Sequence, residues 1–246
     1  MKFALIGYGK MGKVIEDVIL SANANKLVKD EIVLKIGADN LQDLTIENLQ
    51  KADVAIEFTQ PDAAIANIQL CFDAGIPVVV GTTAWLDQLP SVKATCAEKD
   101  GALFYAPNFS IGVNIFFEIN KKLAAIMNHQ PQYNVAMEEI HHTEKKDAPS
   151  GTAIKTAEVI LEELTSKSNW LLAENGNQLA ESLMIKALRE PNVPGTHIVN
   201  YFSDVDSIQL IHEAKSRKGF AEGAVMAARW LPGKKGVFEM KDLLQF

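Results

Sequence analysis

Lys2-Phe3-Ala4-Leu5-Ile6-Gly7-Tyr8-Gly9-Lys10-Met11-Gly12 runs a short apolar segment straight into Gly-x-Gly-x-x-Gly, and the amphipathic run Lys13 to Leu20 follows at once. Phe3 to Ile6 have the length and apolarity of a buried strand, and the later run has the three-to-four apolar spacing of a half-buried helix. Set between a strand and a helix, each glycine has its own task. The first permits the tight turn, the second lets backbone approach a pyrophosphate, and the third lets helix pack closely on strand. The helix N-terminus then faces the phosphates with unsatisfied N–H groups. A glycine triplet alone also describes a plain strand-to-helix turn; the flanking strand and helix favour a dinucleotide site.

Moving outward, the next hundred residues repeat the alternation. Glu31 to Ala38, Asp53 to Phe58, Pro77 to Val80 and Ala102 to Tyr105 read as strands, with helix-like runs at Ala63 to Ala74 and Trp85 to Lys99. Strands alternating with helices mean a parallel sheet with crossover helices, a Rossmann-like doubly wound α/β fold. Ligands of such sheets collect at the carboxyl ends of the strands. Those ends are Gly7 to Gly12, Asp39-Asn40, Phe58 to Pro61, Gly81-Thr82-Thr83 and Ala106 to Ser110, all rich in small or hydrogen-bonding residues.

Asp39 ends the second predicted strand, where an acidic residue accepts hydrogen bonds from the ribose hydroxyls of NAD. Its distance from the glycines exceeds the usual ~20 residues, and the loop Ala22 to Asp30 absorbs the excess. The bland reading is a surface carboxylate. Asn40 beside it is neutral where an arginine would favour a 2′-phosphate, so NADH is preferred over NADPH as cofactor.

From Ile111 onward the pattern changes. A long helix, Val113 to Asn128, precedes strand-like runs at Tyr133 to Ile140, His197 to Phe202 and Ser207 to Ala214, the last two joined by a turn at Asp204 to Ser207. This predicts a second, α+β domain with a mixed or antiparallel sheet. Val113, Phe116, Phe117, Leu123 and Ile126 read as its core stripe, and Ser166 to Gln178 as an exposed polar connection. Gly219 to Leu231 is helical again, and the apolar tail Val237 to Leu244 is placed back on the nucleotide domain.

The chain has 246 residues and a formal net charge of −7. That charge, without clustered Lys and Arg, argues against a nucleic-acid partner. Cys71 and Cys96 lack the spacing of a metal site or disulfide framework and read as buried thiols of a cytoplasmic protein. No apolar stretch approaches the ~18 residues of a membrane span, and the first strand occupies the place of a signal peptide.

The densest chemistry lies at Glu138-Glu139-Ile140-His141-His142-Thr143-Glu144-Lys145-Lys146-Asp147-Ala148-Pro149-Ser150-Gly151-Thr152. His141 and Lys145 are one helical turn apart in sequence, so a turn or tight loop could aim both at one small acidic molecule and supply a proton and positive charge. Two adjacent strand histidines point to opposite faces, and no third ligand has metal-site spacing, so no metal is expected. Lys146 reads as solvated, and His129, His197 and His212 as packed or capping residues.

These residues resemble the 4-hydroxy-tetrahydrodipicolinate reductase (dihydrodipicolinate reductase) family of the diaminopimelate route to lysine. The resemblance covers essentially the whole chain: Glu139 to His142 with Lys145, Asp147 to Ala153, Gly7 to Gly12, Gly81 to Thr83, Ala106 to Ser110 with Gly112 and Asn114, and His212 to Arg217 with Phe220 and Gly223. It implies a dinucleotide-binding domain over 1–108 with 218–246 returning to it, and a substrate-binding and oligomerisation domain over 109–217. It further implies that Gly7, Tyr8, Gly9, Lys10, Met11 and Gly12 hold the pyrophosphate of NADH or NADPH and Asp39 the ribose. Gly81, Thr82, Thr83, Ala106, Pro107, Asn108 and Phe109 would line the nicotinamide side. His141 and Lys145 would be the catalytic proton donors or acceptors, with His142, Gly151 and Thr152 holding the dicarboxylate substrate. A cytoplasmic homotetramer is the implied assembly. The stretch Ala173 to Thr196 resembles the family less than its flanks do.

Overall fold

The structure, a computed structural model, describes residues 1–24, 29–173 and 180–246 and divides into two compact units, Met1–Ile111 with Lys218–Phe246, and Gly112–Arg217. The first unit opens with β1 (Lys2–Ile6), α1 (Lys10–Ala24), β2 (Glu31–Ile36), α2 (Ile46–Leu49), β3 (Val54–Glu57), α3 (Pro61–Asp73), β4 (Val78–Val80), α4 (Leu89–Glu98) and β5 (Ala102–Tyr105). After α5 (Ile111–Met127), the second unit contains β6 (Asn134–His141), α6 (Gly151–Leu161), β7 (Asn169–Leu172), β8 (Ser182–Arg189), β9 (Gly195–Phe202) and β10 (Ser207–Ala214). The chain then returns with α7 (Lys218–Trp230), β11 (Gly236–Phe238) and α8 (Met240–Leu244).

The first sheet has the order β11-β5-β4-β3-β1-β2, and every pairing in it is parallel. Its central strands are buried on both faces, which is why Val54-Ala55-Ile56 and Val78-Val79-Val80 are unbroken apolar runs instead of alternating ones. Phe3, Leu5, Ile56, Val79 and Phe104 face one helical layer with α1 and α7, while Ala4, Ile6, Ala55, Val78 and Leu103 face the other. Each large apolar side chain so buried contributes roughly 1.5–3 kcal/mol. From β1 the chain moves to β2 on one side and then to β3 on the other, so the order reverses between β1 and β3. A crevice at the carboxyl ends of the strands on either side of such a reversal is where this architecture binds ligands. The tail returns to this sheet, with β11 parallel to β5.

The second sheet is mixed, with order β10-β9-β6-β8-β7: β6 pairs antiparallel with β9 and parallel with β8. β6 alternates buried and half-buried residues, turning Val135, Met137, Glu139 and His141 inward. Strand β7 departs from the expectation of a polar connection across Ser166 to Gln178: Asn169–Leu172 is a strand inside it, and the rest of that stretch from 174 onward lies outside the described residues, as do 25–28 of the loop Ala22 to Asp30. Ile126 is also a correction. It is 61% exposed, whereas Val113 and Phe116 are buried, because the helix turns it away from the sheet that its neighbours cover. Among the described residues no helix is long and apolar enough to cross a membrane.

Candidate functional site

In the first unit the loops after β1, β2, β3, β4 and β5 meet at one end of the sheet. Gly7 has φ +99°, and a side chain there would sit 2.0 Å from the Phe58 carbonyl oxygen. Glycine is therefore required both for the turn and for contact between the loops at the order reversal. The Gly7 and Tyr8 N–H groups both donate to the Ile36 carbonyl, at 3.0 and 2.7 Å, so these two amides shape the loop. The first helical bond runs from the Lys13 N–H to the Gly9 carbonyl, 3.2 Å, which leaves the amides of Lys10, Met11 and Gly12 without carbonyls inside the helix. Nothing lies within 4 Å of where a Gly9 side chain would project. An open glycine beside donor amides at a helix N-terminus fits a pyrophosphate.

Beyond β2, which ends at Ile36 before Asp39 is reached, Asp39 is exposed in the following turn and its Oδ1 folds over Gly37. Asn40 does more than stand neutral beside it. Its Oδ1 accepts the Gly37 N–H at 2.7 Å while its Nδ2 donates to the Lys35 carbonyl and to Asp43, at 3.0 and 3.1 Å, so its amide is committed to holding the turn. Nearby, the Tyr8 hydroxyl donates to Glu16, and the Lys35 ammonium lies 3.2 Å from Glu16 and 5.1 Å from the centre of the Tyr8 ring.

On the other flank Gly81 is required by packing: a side chain there would meet the Phe58 ring at 2.1 Å. Phe58 and Phe104 each lie 5.9 Å from the ring of Phe109, which is buried. Thr82 accepts the Thr59 N–H at 2.7 Å, and Thr82, Thr83, Ala106 and Pro107 line a small crevice. The Asn108 side chain accepts the Ser110 N–H at 2.8 Å. Fully buried Glu57 ties the loop after β3 to α3 by accepting from Thr59 and Asn67, and burial holds its carboxyl above the ordinary range. An apolar strand followed by a lone acid gave no separate signal for it in the sequence.

In the second unit β6 delivers Glu139 and His141 to the same inward face, one strand repeat apart, and half-buried His142 follows just past its end. Lys145 follows in a loop, and its ammonium contacts both oxygens of Asp147 at 2.8 Å. Arg189, at the end of β8, grips this loop by donating to the carbonyls of Lys145 and Asp147, at 3.2 and 2.6 Å. Ser150 caps α6 by accepting the Ala153 N–H at 3.2 Å. The expected Ser-Gly-Thr turn is thus the N-terminus of a helix, with Gly151 and Thr152 in its first turn. Nothing lies within 4 Å of where a Gly151 side chain would project.

His141 is buried, and its ring lies 5.2 Å from that of His197 in an edge-to-face arrangement. Burial lowers the His141 pKa, the Lys145 and Arg189 charges lower it further, and Glu139 opposes them. The more deeply buried His197 is pushed down to about 3. Glu139 oxygens accept the Ser150 N–H at 3.0 and 3.1 Å and lie 3.6 Å from the Arg189 guanidinium. Donor atoms of Glu139, His141 and His197 come within 4.8 Å of one another, a grouping that sequence spacing did not offer because β9 supplies the third member. With a guanidinium already at that carboxylate, a cation would meet direct repulsion there. His197, read as a packing residue, and Arg189, which had not been singled out, are the members that the sequence reading missed. His129, His212 and Lys146 lie outside this cluster.

The chain matches the family models described as dihydrodipicolinate reductase, N-terminus, over residues 1–109, and dihydrodipicolinate reductase, C-terminus, over 112–244. It is 47% identical to the 4-hydroxy-tetrahydrodipicolinate reductase of Christiangramia forsetii, over 99% of this chain and 98% of that one. It is 33% identical to that of Methanococcoides burtonii, over 96% and 95%. A dipicolinate-bound dihydrodipicolinate reductase from Paenisporosarcina sp. TG-14 shares the fold, with a TM-score of 0.79 at 22% identity over 97% of both chains. The first unit is accordingly a nucleotide-binding Rossmann domain of the kind that serves NAD(P)H. Two matched halves and full-length identity to curated relatives place the chain in the 4-hydroxy-tetrahydrodipicolinate reductase family of oxidoreductases.

Proposed function

We propose that the chain reduces the dehydrated form of 4-hydroxy-tetrahydrodipicolinate to tetrahydrodipicolinate, with Lys145 and His141 as the proton-handling residues. The observation that carries this reading is the meeting of an imidazole, an ammonium and a helix N-terminus within one short stretch after β6. A ring dicarboxylate needs those groups: an ammonium and an imidazole for charge-assisted hydrogen bonds, and backbone amides for the remaining carboxylate oxygens. His142, Gly151 and Thr152 are the remaining substrate contacts in this reading.

The nicotinamide cofactor supplies hydride when bound. Gly7 to Gly12 hold its pyrophosphate, through the loop shape at Gly7 and Tyr8 and the donor amides from Lys10 onward; Asp39 holds the ribose; Gly81 to Thr83 and Ala106 to Phe109 border the nicotinamide side. Reduction of a conjugated imine builds negative charge that a nearby acid must quench. With the His141 pKa lowered by burial, the Lys145 ammonium is the proton donor in this reading. NADH is preferred over NADPH in this reading. Asn40 is occupied in the turn, and the Asp39 carboxylate beside it is a negative charge that a 2′-phosphate would meet.

A covalent-thiol alternative such as semialdehyde oxidation finds no support. Cys71 and Cys96 are both buried, and burial raises both thiol pKa values. Assembly as a homotetramer through the second unit has its support in edge strand β10, whose Ile208 and Ile211 are exposed along with Val205 of the preceding turn. Two buried free thiols accord with a cytoplasmic location. Dipicolinate, a flat analogue of the substrate, tests the site: it is expected to inhibit NADH consumption competitively with substrate, and Lys145→Ala to weaken that inhibition at least tenfold. Absence of competition would overturn the placement of substrate at Lys145.

A further inference from the structure

Resting on that reading, we infer that Glu139 is a positioning residue, which fixes the tautomer of His141 and locks it to the N-terminus of α6. Glu139 is fully buried, and a buried carboxylate persists only when its neighbours compensate the lost hydration. Its compensation comes from both sides of the site. One partner is the Ser150 N–H, 3.0 and 3.1 Å from its two oxygens, which fixes the start of α6 and with it Gly151 and Thr152. The others are the Arg189 guanidinium, 3.6 Å from Oε1, and the imidazole of His141, whose Nδ1 lies 3.4 Å from Oε2, an ion-pair distance longer than a hydrogen bond. Nδ1 is buried and has no hydrogen-bond partner.

The two ring nitrogens of His141 are therefore in different surroundings. Nδ1 faces a carboxylate. Nε2 lies toward Gly195, whose absent side chain would otherwise project to 3.0 Å from it. A carboxylate beside Nδ1 favours the proton on Nδ1, leaving Nε2 with the lone pair that exchanges protons with substrate. Contacts of this kind are often long without ligand and tighten when substrate arrives. The charges facing His141 are Glu139 on its own strand, Lys145 and Asp147 in the loop, Arg189 on β8 and His197 on β9. Glu139 opposes the fall in His141 basicity that burial and the two cations produce. Without its charge the imidazole would be still less basic.

Glu139→Gln separates this role from a purely structural one, because the amide oxygen can still accept the Ser150 N–H while the charge is gone. Expected are a folded protein, kcat lowered about tenfold or more, little change in KM for NADH, and the limb of the pH profile that reports His141 moved down by about one pH unit. Glu139→Asp, which restores the charge, should return that limb toward its wild-type position. A fall in activity with an unmoved limb, or wild-type kinetics in Glu139→Gln, would overturn the proposal. Should Glu139→Gln not fold, nitrogen-15 chemical shifts of His141 in the unmodified protein decide: a proton on Nδ1 supports the assignment and a proton on Nε2 overturns it. His141→Gln with wild-type turnover would instead strike at the proposed reaction chemistry, so the two failures are distinguishable.

Discussion

Replacing Lys145 by alanine separates chemistry from stability, and the structure sets both magnitudes. The ammonium of Lys145 pairs with Asp147, whose carboxylate is 59% exposed, and an exposed pair of this kind contributes roughly 0–1 kcal/mol. For a chain of this size a loss of 1 kcal/mol moves Tm by about 2–4 °C, so Lys145→Ala should melt within a few degrees of the parent. The loop stays anchored, because Arg189 donates to the carbonyls of Lys145 and Asp147 and not to the deleted side chain. Catalysis should fare differently. Loss of a proton donor costs about 10²–10⁴ in rate, or roughly 3–5 kcal/mol of transition-state stabilisation at 1.36 kcal/mol per decade. Absorbance loss at the nicotinamide band, with substrate generated in place from pyruvate and aspartate semialdehyde by a synthase, gives kcat. Quenching of protein fluorescence by NADH gives cofactor affinity, which should change less than threefold. Turnover within threefold of the parent would refute the role of Lys145, and a Tm drop above 10 °C would refute the reasoning about the loop.

Three further outcomes follow from the geometry. Gly81→Ala places a methyl 2.1 Å from the Phe58 ring, and overpacking of this kind costs about 1–3 kcal/mol; a denaturant midpoint equal to the parent's would contradict the packing argument. Asp39→Asn should raise KM for NADH about tenfold or more, in line with roughly 1.5–3 kcal/mol for hydrogen bonds to a charged group, and should narrow the NADH to NADPH ratio of kcat/KM; an unchanged ratio would remove Asp39 from the ribose site. His197 is held down to about 3 from the ordinary 6.5, so below pH 6.5 the unfolded chain binds a proton that the folded chain refuses. Stability therefore falls as pH drops, by up to about 1.4 kcal/mol per unit for this group. Urea midpoints at pH 7, 6 and 5 should converge between the parent and His197→Asn as the pH is lowered, and parallel curves would sink the assignment.

The first unit was largely legible because local pattern and global role coincide there. An apolar strand, glycines at fixed spacing and an amphipathic helix, taken together, favour one reading, and the carboxyl ends of the parallel strands then point to the ligand side. What was less legible depended on contacts between residues distant in sequence. Asn40 looked like an absence of charge, yet it clamps the turn under Asp39. Glu139 and Ser150 were visible as motif residues, but their mutual hydrogen bonds require a chain reversal that spacing does not reveal. His197 and Arg189 reach the site only through the pairing of β9 and β8 with β6. Ser182-Leu183-Met184-Ile185-Lys186-Ala187-Leu188-Arg189 is built of residues that favour helix as readily as strand, and only its place between β6 and β7 decides the matter. Ile126 misled because the buried face of α5 runs through Asn120, Ala124 and Met127, which turns Ile126 to the outside.

The central claim is the reaction itself, and its most direct test is nicotinamide absorbance on mixing the protein with NADH, and separately NADPH, in the presence of the complete synthase mixture. The account predicts cofactor consumption that requires pyruvate, aspartate semialdehyde and synthase together, faster with NADH than with NADPH. No consumption with either cofactor, from folded protein that still binds NADH, would contradict it.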